Sequence, residues 1–228
     1  MKKTKTNLFA IFVILACASS YANGRLGSVE GMCPKVSNAA GMTHWTQGLD
    51  RWYKIAQSSN PLMKGDVYNP PDTTITCEAS TSFEKFCDCD GAYGPRFLIL
   101  DHYTNQSMRM PEVTQYGRVS VPNAAEEPGV WYVEHFDQGS YLHRVIEFEE
   151  NDYMFVFICK DFFDSSTHGT ALWTHDEHAI LYTRERPERV TVDKKQKLMN
   201  VMNQSLVRNN IWHVSMSWVG GKVNGQNC

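Results

Sequence analysis

YLHRVIEFEENDYMFVFICK, residues 141–160, contains two runs of β-forming side chains, Tyr141 to Phe148 and Tyr153 to Lys160, divided by a short polar cluster. Branched and aromatic residues suit a pleated, half-buried surface, and a polar break between such runs marks a chain reversal. The pattern recurs outward in both directions, as Arg96 to His102, Tyr116 to Val121 and Gly129 to His135 before it and Ala171 to Thr183 after it. Turn signals lie at Asn69-Pro70-Pro71, Asp90-Gly91, Pro122-Asn123 and Asp164-Ser165-Ser166. Short strands at regular spacing predict an all-β antiparallel sandwich or barrel. No glycine-rich phosphate loop follows any run, so nucleotide binding has no support in the sequence.

One segment breaks the pattern. Between Thr191 and Asn209 the residues Leu198, Met202 and Leu206 recur every four positions, and Met199 widens the stripe. One turn earlier the same face carries Lys194 and Lys195, so its apolar part begins at Leu198. This periodicity predicts an amphipathic helix over about 191–209, capped at its start by Thr191 or Asp193 and closed by Asn209-Asn210, since Asn tolerates the left-handed conformation. A last run, Ile211 to Val219, is strand-like again. A lone late helix in an all-β chain is expected to pack against the outside of a barrel.

The 228 residues carry 22 Lys+Arg against 25 Asp+Glu, 42% hydrophobic side chains and 21% charged ones. This balance excludes a disordered or low-complexity chain. The formal charge of −3 argues against nucleic-acid binding through a basic face. No solenoid period is present.

The first residues read as a secretory leader. Lys2, Lys3 and Lys5 precede the apolar run Leu8 to Ala16, and Ser20-Tyr21-Ala22 fits a signal-peptidase site. The apolar run is too short for a membrane anchor. Cleavage after residues 1–22 removes three lysines and no acids, leaving 19 basic against 25 acidic residues, a formal −6. A soluble, secreted, extracellular protein with no further membrane span is expected. Cys17 leaves with the leader, and Cys33, Cys77, Cys87, Cys89, Cys159 and Cys228 remain. An even count in an oxidising compartment reads as disulfides, with fifteen pairings open. Cys87-Asp88-Cys89 lacks zinc spacing. Asn105-Gln106-Ser107 and Asn203-Gln204-Ser205 are N-glycosylation sequons.

Four short motifs in order, with the cysteines, resemble the lipocalin family, most closely the branch of apolipoprotein D, bilin-binding proteins and crustacyanin-type carotenoid carriers. They are Trp52-Tyr53-Lys54-Ile55-Ala56, Asn151-Asp152-Tyr153 with the strand after it, Ile180-Leu181-Tyr182-Thr183-Arg184, and Asn209-Asn210-Ile211 with the terminal Cys228. The likeness runs from Cys33 to Cys228 and is loose over 85–130. Asp50 stands where the family's first motif usually has glycine, with Gly48 two residues earlier. Residues 23–47 are rich in Gly, Ser and Thr and read as an extended N-terminal arm, and the resemblance implies an eight-stranded antiparallel up-and-down barrel over 48–228 with the helix outside. It implies the pairs Cys33–Cys159 and Cys77–Cys228. Cys87 and Cys89 are left open to a free state, a mutual bridge or an interchain pair, so monomer and homodimer are both open. It also implies that Arg184 lies across Trp52 at the closed end as structural residues.

The family orientation places Met154, Val156, Ile158 and Lys160 inward on one strand, and Asp176, His178 and Ile180 inward on the next. Trp131, Tyr132 and Tyr141 are expected near the open end, Trp131 as a ligand contact. Such a lining suits an extended apolar ligand with a carboxylate or carbonyl: a tetrapyrrole such as biliverdin, a carotenoid, a retinoid or a fatty acid. The expected function is a secreted carrier of a small hydrophobic molecule, with no catalytic residue, metal or required cofactor. His175-Asp176-Glu177-His178 lacks the helical His-Glu-x-x-His spacing of a metalloprotease, and in a strand its histidines face opposite sides. No Gly-x-Ser-x-Gly elbow is present. The alternatives are capture of small amines, with Asp176, Glu147 or Glu149 as interior acids; a lipid-directed enzyme using a pocket cysteine, for which Cys87 or Cys89 would have to rearrange; and a surface-acting matrix or receptor module.

Overall fold

The computed structural model describes residues 29–39, 41–58, 79–85, 94–105, 110–135, 139–164 and 172–218. The expected leader at residues 1–22, Cys77, Cys87, Cys89 and Cys228 lie outside these residues, and so does the expected Cys77–Cys228 pairing.

Eight strands form the wall: β2 (Asp50–Ser58), β3 (Ala79–Lys85), β4 (Arg96–Asn105), β5 (Met110–Ser120), β6 (Val130–His135), β7 (Gly139–Glu149), β8 (Tyr153–Asp164) and β9 (Leu172–Thr183). Each pairs antiparallel with its sequence neighbour, and β9 pairs back with β2, which closes the barrel. The short strands β1 (Val29–Glu30) and β10 (Met216–Trp218) extend the sheet, on β9 and β2 respectively. The expected up-and-down barrel with one outer helix is the observed fold.

Alternation along the strands sorts the core into two bodies. Phe83, Phe97, Ile99, Val119, Trp131, Val133, Tyr141, Val145, Met154, Val156, Ile158, Ile180 and Tyr182 form the inner one. Ile146, Phe155, Phe157, Cys159, Ala179 and Leu181, one residue out of step, form the outer one. The outer body is covered by the single helix α1 (Val192–Arg208) through Leu198, Met202 and Leu206.

Local chemistry sets the limits of α1. The Thr191 hydroxyl accepts from Lys194 N–H at 3.2 Å, a side-chain cap on the first turn. At the other end Asn210 takes φ 56°, Ile211 N–H donates to Leu206 C=O and Asn210 N–H donates to Val207 C=O. Together with the apolar contact of Ile211 against the same cluster, this is a Schellman closure. Ion pairs hold both ends to the wall. Lys194 meets Asp152, and Glu185 at 3.3 Å, while Arg208 meets Glu147 on β7. Burial lowers the Lys194 pKa, but its hydrogen bonds and charge contacts with Asp152 and Glu185 outweigh that and raise it.

The N-terminal arm is more than a tether. Ala39, Met42 and Trp45 join the inner cluster, so this segment plugs the closed end. Trp45 begins a 3-10 turn (Trp45–Gly48) and stacks on Phe97 with centroids 5.6 Å apart. The Cys33–Cys159 disulfide pins the arm to β8, with Cα atoms 5.9 Å apart. Cys33 N–H also donates to Asp161, and Ser37 N–H donates to the Asn209 side chain at the end of α1.

Replacing both members of this bridge (Cys33→Ala with Cys159→Ala) releases a crosslink spanning 126 residues of sequence. We expect denaturant unfolding to show a loss of about 2–5 kcal/mol, with the native far-UV spectrum retained.

Candidate functional site

The closed end is built first by β2. Asp50 takes φ 76°, the left-handed conformation that explains why glycine is usual there, and Asp is among the residues that tolerate it. The turn aims Trp52 inward, where it is fully buried and its indole N–H donates to Gly48 C=O at 2.9 Å. Gly48 is needed as glycine, because a Cβ there would stand 2.7 Å from the Trp131 ring. Arg184, at the end of β9, lies over Trp52 at 3.7 Å and donates to the carbonyls of Arg51 and Leu49 at 3.2 and 3.0 Å. Burial lowers the guanidinium pKa, and the Asp50 and Glu150 carboxylates oppose that shift. The arginine thus ties β2, β9 and the 3-10 turn together.

Above this base sits an aromatic floor of Phe83, Phe97 and Trp131, whose centroids lie 5.2–5.9 Å apart in tilted or edge-on pairs. Trp131 therefore lies at the closed end, with its N–H on Pro128 C=O, and not near the open end as expected. The reason is strand direction: β6 starts at the floor and runs toward the mouth, so Trp131 enters at the bottom. Tyr132, the next residue, is half-exposed on the outer face.

The ladders of β7, β8, β9 and β2 then define layers toward the mouth. Phe148, Met154, Tyr182 and Lys54 align in the first, and Val145, Val156, Ile180 and Gln57 in the second. His143, Ile158 and His178 form the third. Lys160 and Asp176 pair in the fourth, where the Lys160 ammonium sits 4.5 Å over the Tyr141 ring. The wall is thus aliphatic at its waist and polar toward the rim. Met154, Val156, Ile158, His178 and Ile180 come together on one continuous inner surface; Lys160 stands at its upper edge.

His178 has no exposed surface, and its Nδ1 lies 2.6 Å from the Ser58 hydroxyl. Burial, reinforced by the charge of Lys54, lowers its pKa to about 3, so the imidazole is neutral at physiological pH. Among the inward polar residues that were not anticipated are Lys54, His143 and Thr81, all buried. Lys54 follows Trp52 by two residues and so shares its inward face, and the bulge after it, between Lys54 and Ala56, shifts the register of the rest of β2 against β9. His143 alternates with Tyr141 and Val145, a signal of period two that was available in the sequence.

The other singled-out residues fall elsewhere. His175 faces outward, with Nδ1 on Gly31 C=O at 2.8 Å and Nε2 on Glu177 at 3.0 Å. Among the described residues no three His, Cys, Asp or Glu side chains converge as a metal site. Glu147 is turned to the helix, so it is not an interior acid. Asn203 is exposed on α1, and Asn105 ends β4. Among the described residues no helix is long and apolar enough to cross a membrane.

No family model matches the chain, and no curated protein matches it. Among solved structures, lobster apocrustacyanin A1 aligns with a TM-score of 0.54 at 13% identity, over 85% of this chain and 91% of that one. Apocrustacyanin C2 gives the same values. H1 crustacyanin from the lobster Homarus americanus gives 0.53 at 14% identity, over 85% and 90%. The likeness is one of fold, and the fold is that of the lipocalins.

Two outcomes test this geometry. Arg184→Lys loses the planar stack on Trp52 and one of its paired carbonyl contacts, and we expect chemical denaturation to show a loss of about 1–2 kcal/mol. For His178 the folded pKa lies below the ordinary 6.5, so the unfolded chain binds the proton more tightly. Its contribution is constant above pH 6.5, and stability falls as pH drops from 6.5 toward 3. His178→Gln should remove on the order of 1–3 kcal/mol of the acid-induced loss, read as the change in urea midpoint between pH 7 and pH 4.5.

Proposed function

We propose that this protein is a secreted carrier that holds one small, extended hydrophobic ligand inside its lipocalin barrel and performs no chemistry on it. The observation that carries this reading is the graded interior. An aromatic floor and an aliphatic waist of Val145, Met154, Val156, Ile158 and Ile180 lead to a rim bearing Tyr141, Lys160 and Asp176. An interior of this kind favours a molecule with a long apolar body and a few polar groups. A tetrapyrrole such as biliverdin, a carotenoid, a retinoid or a fatty acid has that chemistry. Eight strands are about the number at which a barrel encloses a single small ligand. Secretion is supported by the leader-like residues 1–22 and by the Cys33–Cys159 bridge, which suits an oxidising compartment.

Capture of a small amine is a second reading, favoured by the inward, buried Asp176. The two lysines on the same inner surface, Lys54 and Lys160, weigh against it. For a cysteine-dependent lipid enzyme, the two cysteines among the described residues are consumed in the bridge, and Cys159 belongs to the outer cluster.

The test is the absorption spectrum and native mass of protein secreted from a eukaryotic host. A visible band with an adduct of tetrapyrrole or carotenoid mass, or a colourless adduct of retinoid or fatty-acyl mass, is the expected result. Protein whose mass is accounted for by chain and glycans alone, and which titrates with none of these four ligand classes, overturns the carrier reading.

A further inference from the structure

The outer wall carries a concave place of its own. Val119, Val133 and Tyr141 point into the core, so their neighbours Arg118, Ser120, Tyr132, Glu134 and Ser140 face outward. The strand ladders make one patch of them. Arg118 lies across from Glu134, Ser120 from Tyr132, and Glu134 from Ser140. With Pro122 just past the end of β5, these residues line a groove of about 360 Å³. It opens over β5 and β6, beside the strands that α1 covers.

The chemistry of the lining limits what it can hold. Tyr132 is 50% exposed and offers a flat apolar face with a hydroxyl at its tip. Arg118 and Glu134 are exposed and carry opposite charges at directly opposed ladder positions. The site is therefore close to neutral: an anion meets the carboxylate, and a cation meets the guanidinium. A wholly apolar ligand would strip water from both charges and return no hydrogen bond. An extended peptide cannot add as a strand, because β5 and β6 are each paired on both sides. These constraints favour a neutral molecule with one apolar face and several hydroxyls. A pyranose ring has that form. Its C–H face packs on an aromatic ring, and its adjacent hydroxyls donate to a carboxylate and accept from a guanidinium fork. Ser120 and Ser140 add hydroxyls at the flanks. The volume lies at the small end of the range for ligand sites and suits a single sugar ring.

We propose that this groove is a carbohydrate site that takes one neutral terminal pyranose of a glycan, with Tyr132 as the platform and Arg118 and Glu134 reading adjacent hydroxyls. The groove is open to solvent, so the glycosidic linkage has a way out. It lies on the opposite face of the wall from the barrel interior, and the site stands apart from the carrier reading.

The experiment is saturation-transfer difference NMR on the secreted protein with the methyl glycosides of glucose, galactose, mannose and N-acetylglucosamine. At least one is expected to show transfer, with a dissociation constant of about 1–10 mM, as one ring in an open site gives. The methyl glycosides of N-acetylneuraminic acid and of glucosamine, one negative and one positive, should bind at least about 5-fold more weakly than that sugar. Tyr132→Ala should weaken the neutral glycoside about 10-fold and Glu134→Ala about 5-fold. Trp212→Ala removes an aromatic ring that is 65% exposed elsewhere on the surface, and should leave binding within about 2-fold. Far-UV circular dichroism checks the fold of each variant, and Glu134→Ala alone decides the matter if Tyr132→Ala does not fold.

No transfer to any neutral glycoside at about 10 mM overturns the site. So does binding that survives undiminished in a folded Tyr132→Ala or Glu134→Ala chain, that falls as far in Trp212→Ala, or that is tighter for a charged glycoside than for every neutral one. Loading of the barrel interior, read as adduct mass, should be the same in all three variants, so the groove and the carrier reading can each fail alone.

Discussion

Everything in the molecule depends on closing the sheet at the β2–β9 seam. An open antiparallel sheet of this size would leave two edges and an apolar face in water, and closure removes both problems at once. Arg184 is the fastening. Its guanidinium covers the Trp52 ring and satisfies backbone carbonyls at the start of β2 and in the turn before it. A lysine has the charge without the flat, forked geometry, so the closure depends on the shape of the group as well as its sign. Asp50 contributes twice at this corner. It accepts the left-handed backbone that turns the chain into β2, and its carboxylate opposes the lowering of the Arg184 pKa by burial.

Once closed, the wall has two apolar faces to cover, and the chain uses different parts of itself for each. The inner face packs on itself around an aromatic floor, completed by Trp45, Met42 and Ala39 from the arm. The outer face of β7, β8 and β9 is covered by α1 and by Val36 of the same arm. The disulfide, the short β1 strand and the Ser37–Asn209 hydrogen bond hold that arm in place. The arm thus serves both bodies of the core, which explains why its attachment to β8 is covalent. Polar groups inside the barrel gather toward the mouth, while Thr81 and Lys54 lie nearer the closed end. Lys54 gives the interior a buried positive charge, which reinforces the burial that lowers the His178 pKa.

The longer strands were legible because β-branched and aromatic residues alternate or run together in them, as in β8 and β9. β3 was not, since Ala79–Lys85 is rich in Ser and Thr and becomes a strand through its partners β2 and β4. The alternation on β8 and β9 correctly separates Met154, Val156, Ile158, His178 and Ile180 from their outward neighbours. Trp131 was misplaced because the residues of β6 do not state which end of the barrel the strand enters. Lys54 was read only as part of a motif, although it follows the inward Trp52 by two residues and shares its face through the period of a strand.

Residues acting on their near neighbours in the chain settled much of this protein: the period-two strands, and the four-residue stripe and caps of α1. These depend on backbone propensity and side-chain spacing over a few residues, which a linear chain states in full. Contacts between distant segments settled the rest. The arm's role as floor, the depth of Trp131 and the neutral state of His178 exist only once β9 has met β2. Each depends on burial and register, and those quantities have no value until the barrel has closed.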